Sequence, residues 1–161
     1  MTDSGLPVEQ PAHPVRRQLL RAGAVLAAWI IVRPALAASE DLASAIRAYA
    51  GGAVVLPGRV KLDVAALVDN GNTVPLMVSV DSPMTAAEHV TRIAVFNEKN
   101  PQREVVKFNL GPRAGKAEVS TRIRLATSQQ LVAIAQTSDG RFWSHSVDVI
   151  VTLAACIEGD V

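Results

Sequence analysis

The sequence predicts an all-β fold, an immunoglobulin-like β-sandwich of about seven strands preceded by a short N-terminal helix. Three observations predict it. Apolar residues make up 49 % of the chain but aromatics only 4 %, so the core must be built from Val, Ala, Leu and Ile. From Val60 onward apolar and polar residues alternate, which is the period of a half-buried strand. Clusters of Asn, Asp, Gly and Pro break that alternation at intervals of roughly 8–15 residues, the spacing of a sandwich.

The helix is expected over Ser39–Ala50. Leu42, Ile46 and Tyr49 share one face, Ser39 is a suitable N-cap, and Gly51-Gly52 stops the helix. The first strand is Val60–Val64, with Lys61 and Asp63 outward. Asp69-Asn70-Gly71-Asn72 is a turn signal. The second strand is Val74–Val80, where Pro75 requires a strand start or an edge. The third is His89–Phe96, with Thr91, Ile93 and Val95 on one face, and the segment from Asn97 to Pro101 turns the chain. The fourth is Glu104–Leu110, closed by Gly111-Pro112. The fifth is Ala117–Leu125, with Val119, Thr121, Ile123 and Leu125 inward and Arg122 and Arg124 outward. The sixth is Gln130–Thr137, the turn Ser138-Asp139-Gly140 follows, and Phe142–Leu153 is the seventh and longest. A single cysteine cannot make the inter-sheet disulfide common in such sandwiches, so packing alone must join the sheets.

Three segments are expected. Residues 1–37 read as an export signal: Arg16-Arg17 precede a short apolar run from Ala22 to Val32, and Ala35-Leu36-Ala37 has the small residues of a cleavage site. The paired arginines suggest the twin-arginine route and a periplasmic destination. The apolar run is too short to span a bilayer, which needs about 20 residues, so no membrane association is expected once the signal is removed. Residues 38–153 form the sandwich domain. Residues 154–161 form a C-terminal arm.

After cleavage at Ala37 the chain carries 12 Lys and Arg against 13 Asp and Glu, a net charge of −1. That near-neutral balance excludes nucleic acid as an expected partner. No glycine-rich phosphate loop and no nucleophile elbow occurs. His89 and His145 have no ligand spacing and are expected as surface or satisfied histidines; neither His nor Met follows the cysteine as a blue-copper site would require. No catalytic residue, metal site or cofactor is therefore expected.

The remaining chemistry is one thiol. Cys156 follows the seventh strand by three residues, after the slim stem Ala154-Ala155 and before Ile157-Glu158. An arm of that length reaches roughly 10 Å, at about 3.3 Å per residue. Glu158 and Asp160 disfavour the thiolate, and no sequence neighbour supplies an activating cation. A thiol that is quiet alone and activated in a partner's site suits a covalent carrier.

Several stretches together resemble the SoxY family. They are Asp69-Asn70-Gly71-Asn72-Thr73-Val74-Pro75, Asp81-Ser82-Pro83-Met84, Asn100-Pro101, the run from Ser120 to Ala126, the run from Ser138 to Trp143, and Val149–Cys156. The resemblance implies an immunoglobulin-like fold, a SoxZ-like partner subunit in a heterodimer, and thiosulfate carried on Cys156 as an S-thiosulfonate. It further implies loading by a c-type cytochrome enzyme and sulfate release by a hydrolase. The family's usual ending is Gly-Gly-Cys-Gly-Gly; here it is Ala154-Ala155-Cys156-Ile157-Glu158. Two alternatives stay open: a divergent carrier of another pathway, for example one associated with quinoprotein dehydrogenases, and an immunoglobulin-like binding or structural module with an incidental cysteine.

Overall fold

The structure, a computed structural model, describes residues 34–155, with side chains from residue 41. Helix α1 (Pro34–Tyr49) is followed by β1 (Val55–Pro57), β2 (Val60–Val64), β3 (Leu67–Asn70), β4 (Val74–Val80) and β5 (Val90–Asn97). Then come β6 (Glu104–Asn109), a single 3-10 turn (Pro112–Ala114), β7 (Glu118–Ile123), β8 (Gln129–Thr137) and β9 (Phe142–Leu153). All seven expected strands are present, with ends shifted by one or two residues, and β1 and β3 are additional. Among the described residues no helix is long and apolar enough to cross a membrane.

Two sheets face each other. The larger runs β1-β9-β8-β5-β6, with β3 also pairing β9, and the smaller runs β2-β4-β7. Their inner faces share one aliphatic core that includes Leu62, Val74, Val78, Ile93, Val95, Leu125, Leu131 and Val149. Alternation along β2 and β4 puts Val60, Leu62, Val74, Leu76, Val78 and Val80 into this core as expected. Pro75 lies beyond the last β2–β4 partner pair, Val64 and Leu76, so its missing N–H faces a side of β4 where β2 has already ended.

β5 departs from the expected alternation. Val90 and Ile93 both enter the core although three positions apart, because the register with β8 shifts between Val90 and Arg92. The bulge takes Val90 into the core in place of Thr91, which is expected inward but is only half-buried and donates through Oγ1 to the Gln136 carbonyl. β5 and β8 are moreover buried on both faces, because α1 lies over the outer face of the large sheet. Leu42 and Ala50 join Ala94, Phe96, Val132, Ile134 and Phe142 in a second cluster, with Ile46 and Tyr49 packed against it. Tyr49 meets Phe96 and Phe142 edge-on at centroid distances of 5.4 and 6.1 Å. Leu42 is 5 % exposed, and burying it contributes roughly 2 kcal/mol to holding the helix down.

The helix starts at Pro34, five residues before the expected Ser39, so Ser39 lies inside it and is not its N-cap. Proline suits a first helical turn, and alanine and leucine propagate a helix without penalty. The end is as expected. The amides of Gly51 and Gly52 cap it through Ala48 and Arg47, with φ of +61° and +82° that glycine adopts freely.

The segment from Val55 to Asn70 seals the free side of β9. β1 runs parallel to Phe142–Ser144, and β3 runs parallel to Ile150–Leu153. Between them the chain crosses to the small sheet as β2, turning at Gly58 and Arg59, both with positive φ. Arg59 is held there by its Nε donating to the Asp81 carbonyl (3.1 Å) and by an ion pair with Glu88 (2.7 Å). The Leu62 amide donates to Nδ1 of His145 at 3.1 Å, linking the two sheets. The turn signal at 69–72 is thus no hairpin. Asn70 Oδ1 accepts from the Asn72 amide at 2.9 Å, but β3 and β4 diverge into different sheets.

Candidate functional site

Arg16, Arg17, Cys156, Ile157 and Glu158 lie outside the described residues. Ala35 and Ala37 fall within α1. Ala154 and Ala155, the expected stem of the arm, are placed, and they differ sharply. Ala154 is exposed, whereas Ala155 is only 6 % exposed and is bonded into the body. Ala155 is thus no part of a free arm: the anchored chain continues to the residue immediately before the thiol.

Two segments distant in sequence hold it. The Gly71 amide donates to the Leu153 carbonyl at 2.8 Å, the Leu125 amide donates to the Gly71 carbonyl at 2.8 Å, and the Ala155 amide donates to the Leu125 carbonyl at 3.1 Å. Gly71 and Leu125 each use both backbone groups in this circuit. Thr152 Oγ1 donates to the Asp69 carbonyl at 3.0 Å, and the Val151 amide donates to Ser128 Oγ at 2.9 Å.

The Leu125 segment is held in turn by Asn100. Its Nδ2 donates to the Arg124 carbonyl at 2.8 Å, and its Oδ1 accepts from the Ala126 amide at 3.0 Å and from Gln129 Nε2 at 2.7 Å. Asn97, fully buried, holds the Asn100 turn from behind: its Oδ1 accepts from the Asn100 amide at 2.8 Å and its Nδ2 donates to the Gln102 carbonyl at 2.6 Å. Sequence reasoning assigned none of Gly71, Asn97, Asn100 or Leu125 to the site. The signal was present as turn motifs, whose long-range partners no local pattern specifies.

Beside this root the surface is apolar. Leu67 and Ile150, partners in the β3–β9 register, are each 59 % exposed, and Leu153 is 61 % exposed. Among the described residues β3 is also an edge strand, pairing only β9.

At the other end of β9, a polar staple closes the sandwich. Arg59 and Arg141 lie 5.4 and 5.5 Å from the centroid of the Trp143 ring. Asp139 accepts from Arg141 and from Thr137 Oγ1, and these hydrogen bonds hold its carboxyl well below the usual carboxylate range. His89 Nδ1 lies 3.1 Å from the Thr85 carbonyl. His89 and His145 thus each have a backbone partner. Among the described residues no three His, Cys, Asp or Glu side chains gather as metal ligands would.

Residues 46–156 match the family described as sulfur oxidation protein SoxY. The chain belongs to the SoxY family. The match ends on the cysteine that follows the anchored Ala155. The sulfur carrier protein SoxY of Chlorobium limicola f thiosulfatophilum superposes with a TM-score of 0.61 at 27 % identity, covering 71 % of this chain and 94 % of that one. The superoxide reductase (neelaredoxin) of Ignicoccus hospitalis has a TM-score of 0.52 at 20 % identity, covering 58 % and 80 %. A putative superoxide reductase of Thermotoga maritima has 0.50 at 20 %, covering 61 % and 87 %. At that identity the reductases share only the sandwich fold with this chain. No match was found among curated proteins.

Proposed function

We propose that this SoxY-family chain is a periplasmic sulfur carrier, exported by the twin-arginine route, whose Cys156 holds thiosulfate-derived groups covalently for partner enzymes. The observation that carries the reading is the family match running up to Cys156, the one thiol of the chain. The anchoring of Ala155 supports it, because a carrier must present its cargo from a defined point on a rigid body. In the loading step the cysteine sulfur and the sulfane sulfur of thiosulfate form an S–S bond. The thiol proton is released and two electrons pass to the haems of a c-type cytochrome enzyme. Water then cleaves the sulfonate group as sulfate, with release of two protons, and leaves a persulfide on Cys156. The chain performs neither reaction itself.

A SoxZ-like subunit completes the working unit in this reading. The exposed Leu67 and Ile150 on the β3 edge support such a partner, since paired apolar side chains on an edge strand favour association.

Intact mass tests the proposal. The chain purified from its host should carry sulfur adducts that reductant removes, and Cys156→Ser should carry none while unfolding at the same temperature. A bare thiol both on the host-purified chain and after incubation with thiosulfate and a loading cytochrome would move the assignment to a binding module. A second reading, a carrier for another pathway, is favoured by the buried methyl of Ala155 where the family usually has glycine. Adducts present on the host-purified chain, combined with no loading by a thiosulfate-pathway cytochrome, would select it.

A further inference from the structure

We propose that Gly71 is a positioning residue for Cys156: with Leu125 it forms a backbone clamp that sets where the thiol-bearing residue leaves the body. This rests on the carrier reading and specifies how that site is built. The motif around Gly71 reads locally as a turn, yet Asn70 alone supplies the turn's side-chain bond. What requires glycine is space. A Cβ on residue 71 would overlap the Leu125 carbonyl oxygen and stand 2.9 Å from the Ala155 nitrogen, the acceptor and donor of the clamp's last hydrogen bond. It would also press on Val151 Cγ1 at 3.1 Å. The first two neighbours are backbone atoms, so no side-chain rotation relieves the overlap.

Leu125 cannot give way easily. Its side chain is fully buried, and Asn100 ties the residues on either side of it. With Leu125 fixed, residue 71 has to shift, and because its amide holds the Leu153 carbonyl and its Cβ crowds the Ala155 nitrogen, the shift displaces the chain at residue 155, the last before the cysteine. A loading enzyme that receives this thiol in a pocket meets it on a body whose orientation is preset, and displacement of residue 155 misaligns the two. Gly71 touches no reacting atom and acts through Ala155.

The test uses the mature chain with Gly71→Ala, and with Asn100→Ala as a milder loosening of the same clamp should the alanine at 71 prevent folding. The Ala155 amide should be protected from hydrogen exchange in the unsubstituted chain and lose about tenfold or more of that protection in the variant, with the β5 and β8 amides unchanged. A methanethiosulfonate nitroxide on Cys156 should change its spectrum. Steady-state loading by a thiosulfate-pathway cytochrome enzyme should show KM raised severalfold with kcat held, measured where circular dichroism shows the variant fully folded, because an unfolded fraction of the carrier would raise the apparent KM in the same way. An Ala155 amide exchanging at the free-peptide rate in the unsubstituted chain would overturn the clamp. A displaced nitroxide with unchanged KM would overturn the positioning role. Absence of any adduct on the unsubstituted chain would instead refute the carrier reading, while exchange and the nitroxide would still decide the clamp.

Discussion

Asn97→Ala should be among the most damaging single polar substitutions in this chain. Asn97 is fully buried at the end of β5. Its side chain donates to the Gln102 carbonyl at 2.6 Å and, more weakly, to the Arg103 carbonyl at 3.3 Å, and accepts from the Asn100 amide at 2.8 Å. Alanine removes two good hydrogen bonds at about 1 kcal/mol each and leaves a part-buried donor and acceptor unpaired, which brings the cost to about 3 kcal/mol. For a domain of this size about 4 °C of Tm corresponds to 1 kcal/mol, so the melting point should fall by about 12 °C. Urea unfolding should show the midpoint lowered at constant m, the mark of lost stability without a change of mechanism. Asn97→Asp separates the bonds: it keeps the acceptor for Asn100 but points an oxygen at the Gln102 and Arg103 carbonyls. It should therefore be worse than alanine at neutral pH and recover in acid as the carboxyl takes up a proton. A loss below about 1 kcal/mol for Asn97→Ala would refute the reasoning, since it would mean water replaces these bonds at little cost.

Tyr49→Phe should be neutral or stabilising by up to about 1 kcal/mol, because the buried phenol oxygen has no hydrogen-bond partner among the described residues. Burial also pushes the Tyr49 phenol above its ordinary value, against the attraction of Arg92. The neutral phenol is thus favoured on folding, a contribution complete below the ordinary phenol pKa and lost as pH rises through the folded one; alkaline unfolding monitored by circular dichroism should come later in the phenylalanine variant. Leu67→Lys with Ile150→Glu should abolish co-purification with a SoxZ-like subunit while changing stability by no more than about 1 kcal/mol, as both side chains are exposed and the opposite charges face each other across the register. Glycine at 154, 155, 157 and 158 should raise loading by a thiosulfate-pathway cytochrome, because it removes side-chain bulk around Cys156 while the Leu125 carbonyl still holds the residue 155 amide. Unchanged loading would show that bulk around Cys156 does not set partner choice.

Seven of the nine strands were legible because each is long enough to alternate and is bounded by Gly, Pro, Asn or Asp. The inward faces of β2 and β4 and the solvent-facing Arg122 and Arg124 followed from the same period. The family and its one thiol were legible as well, since the stretches around Asn70-Gly71, Asn100-Pro101 and Val149–Cys156 are local patterns. β1 and β3 were not. Val55–Pro57 and Leu67–Asn70 are too short to show a period, and they are strands because β9 offers them an unpaired edge. The bulge at Thr91 and the cover of α1 over Phe96 and Ile134 were equally invisible, because both depend on what lies across the sheet. The root of the thiol arm shows the difference most clearly. Two small residues before a cysteine read as a free stem, and only the meeting of Gly71, Leu125 and Ala155, which lie far apart in the chain, makes Ala155 an anchor. Periodicity and local motifs determine which elements form and which side chains can react. Where a reactive group stands is decided by backbone hydrogen bonds between distant segments, which exist only once the sheets have packed.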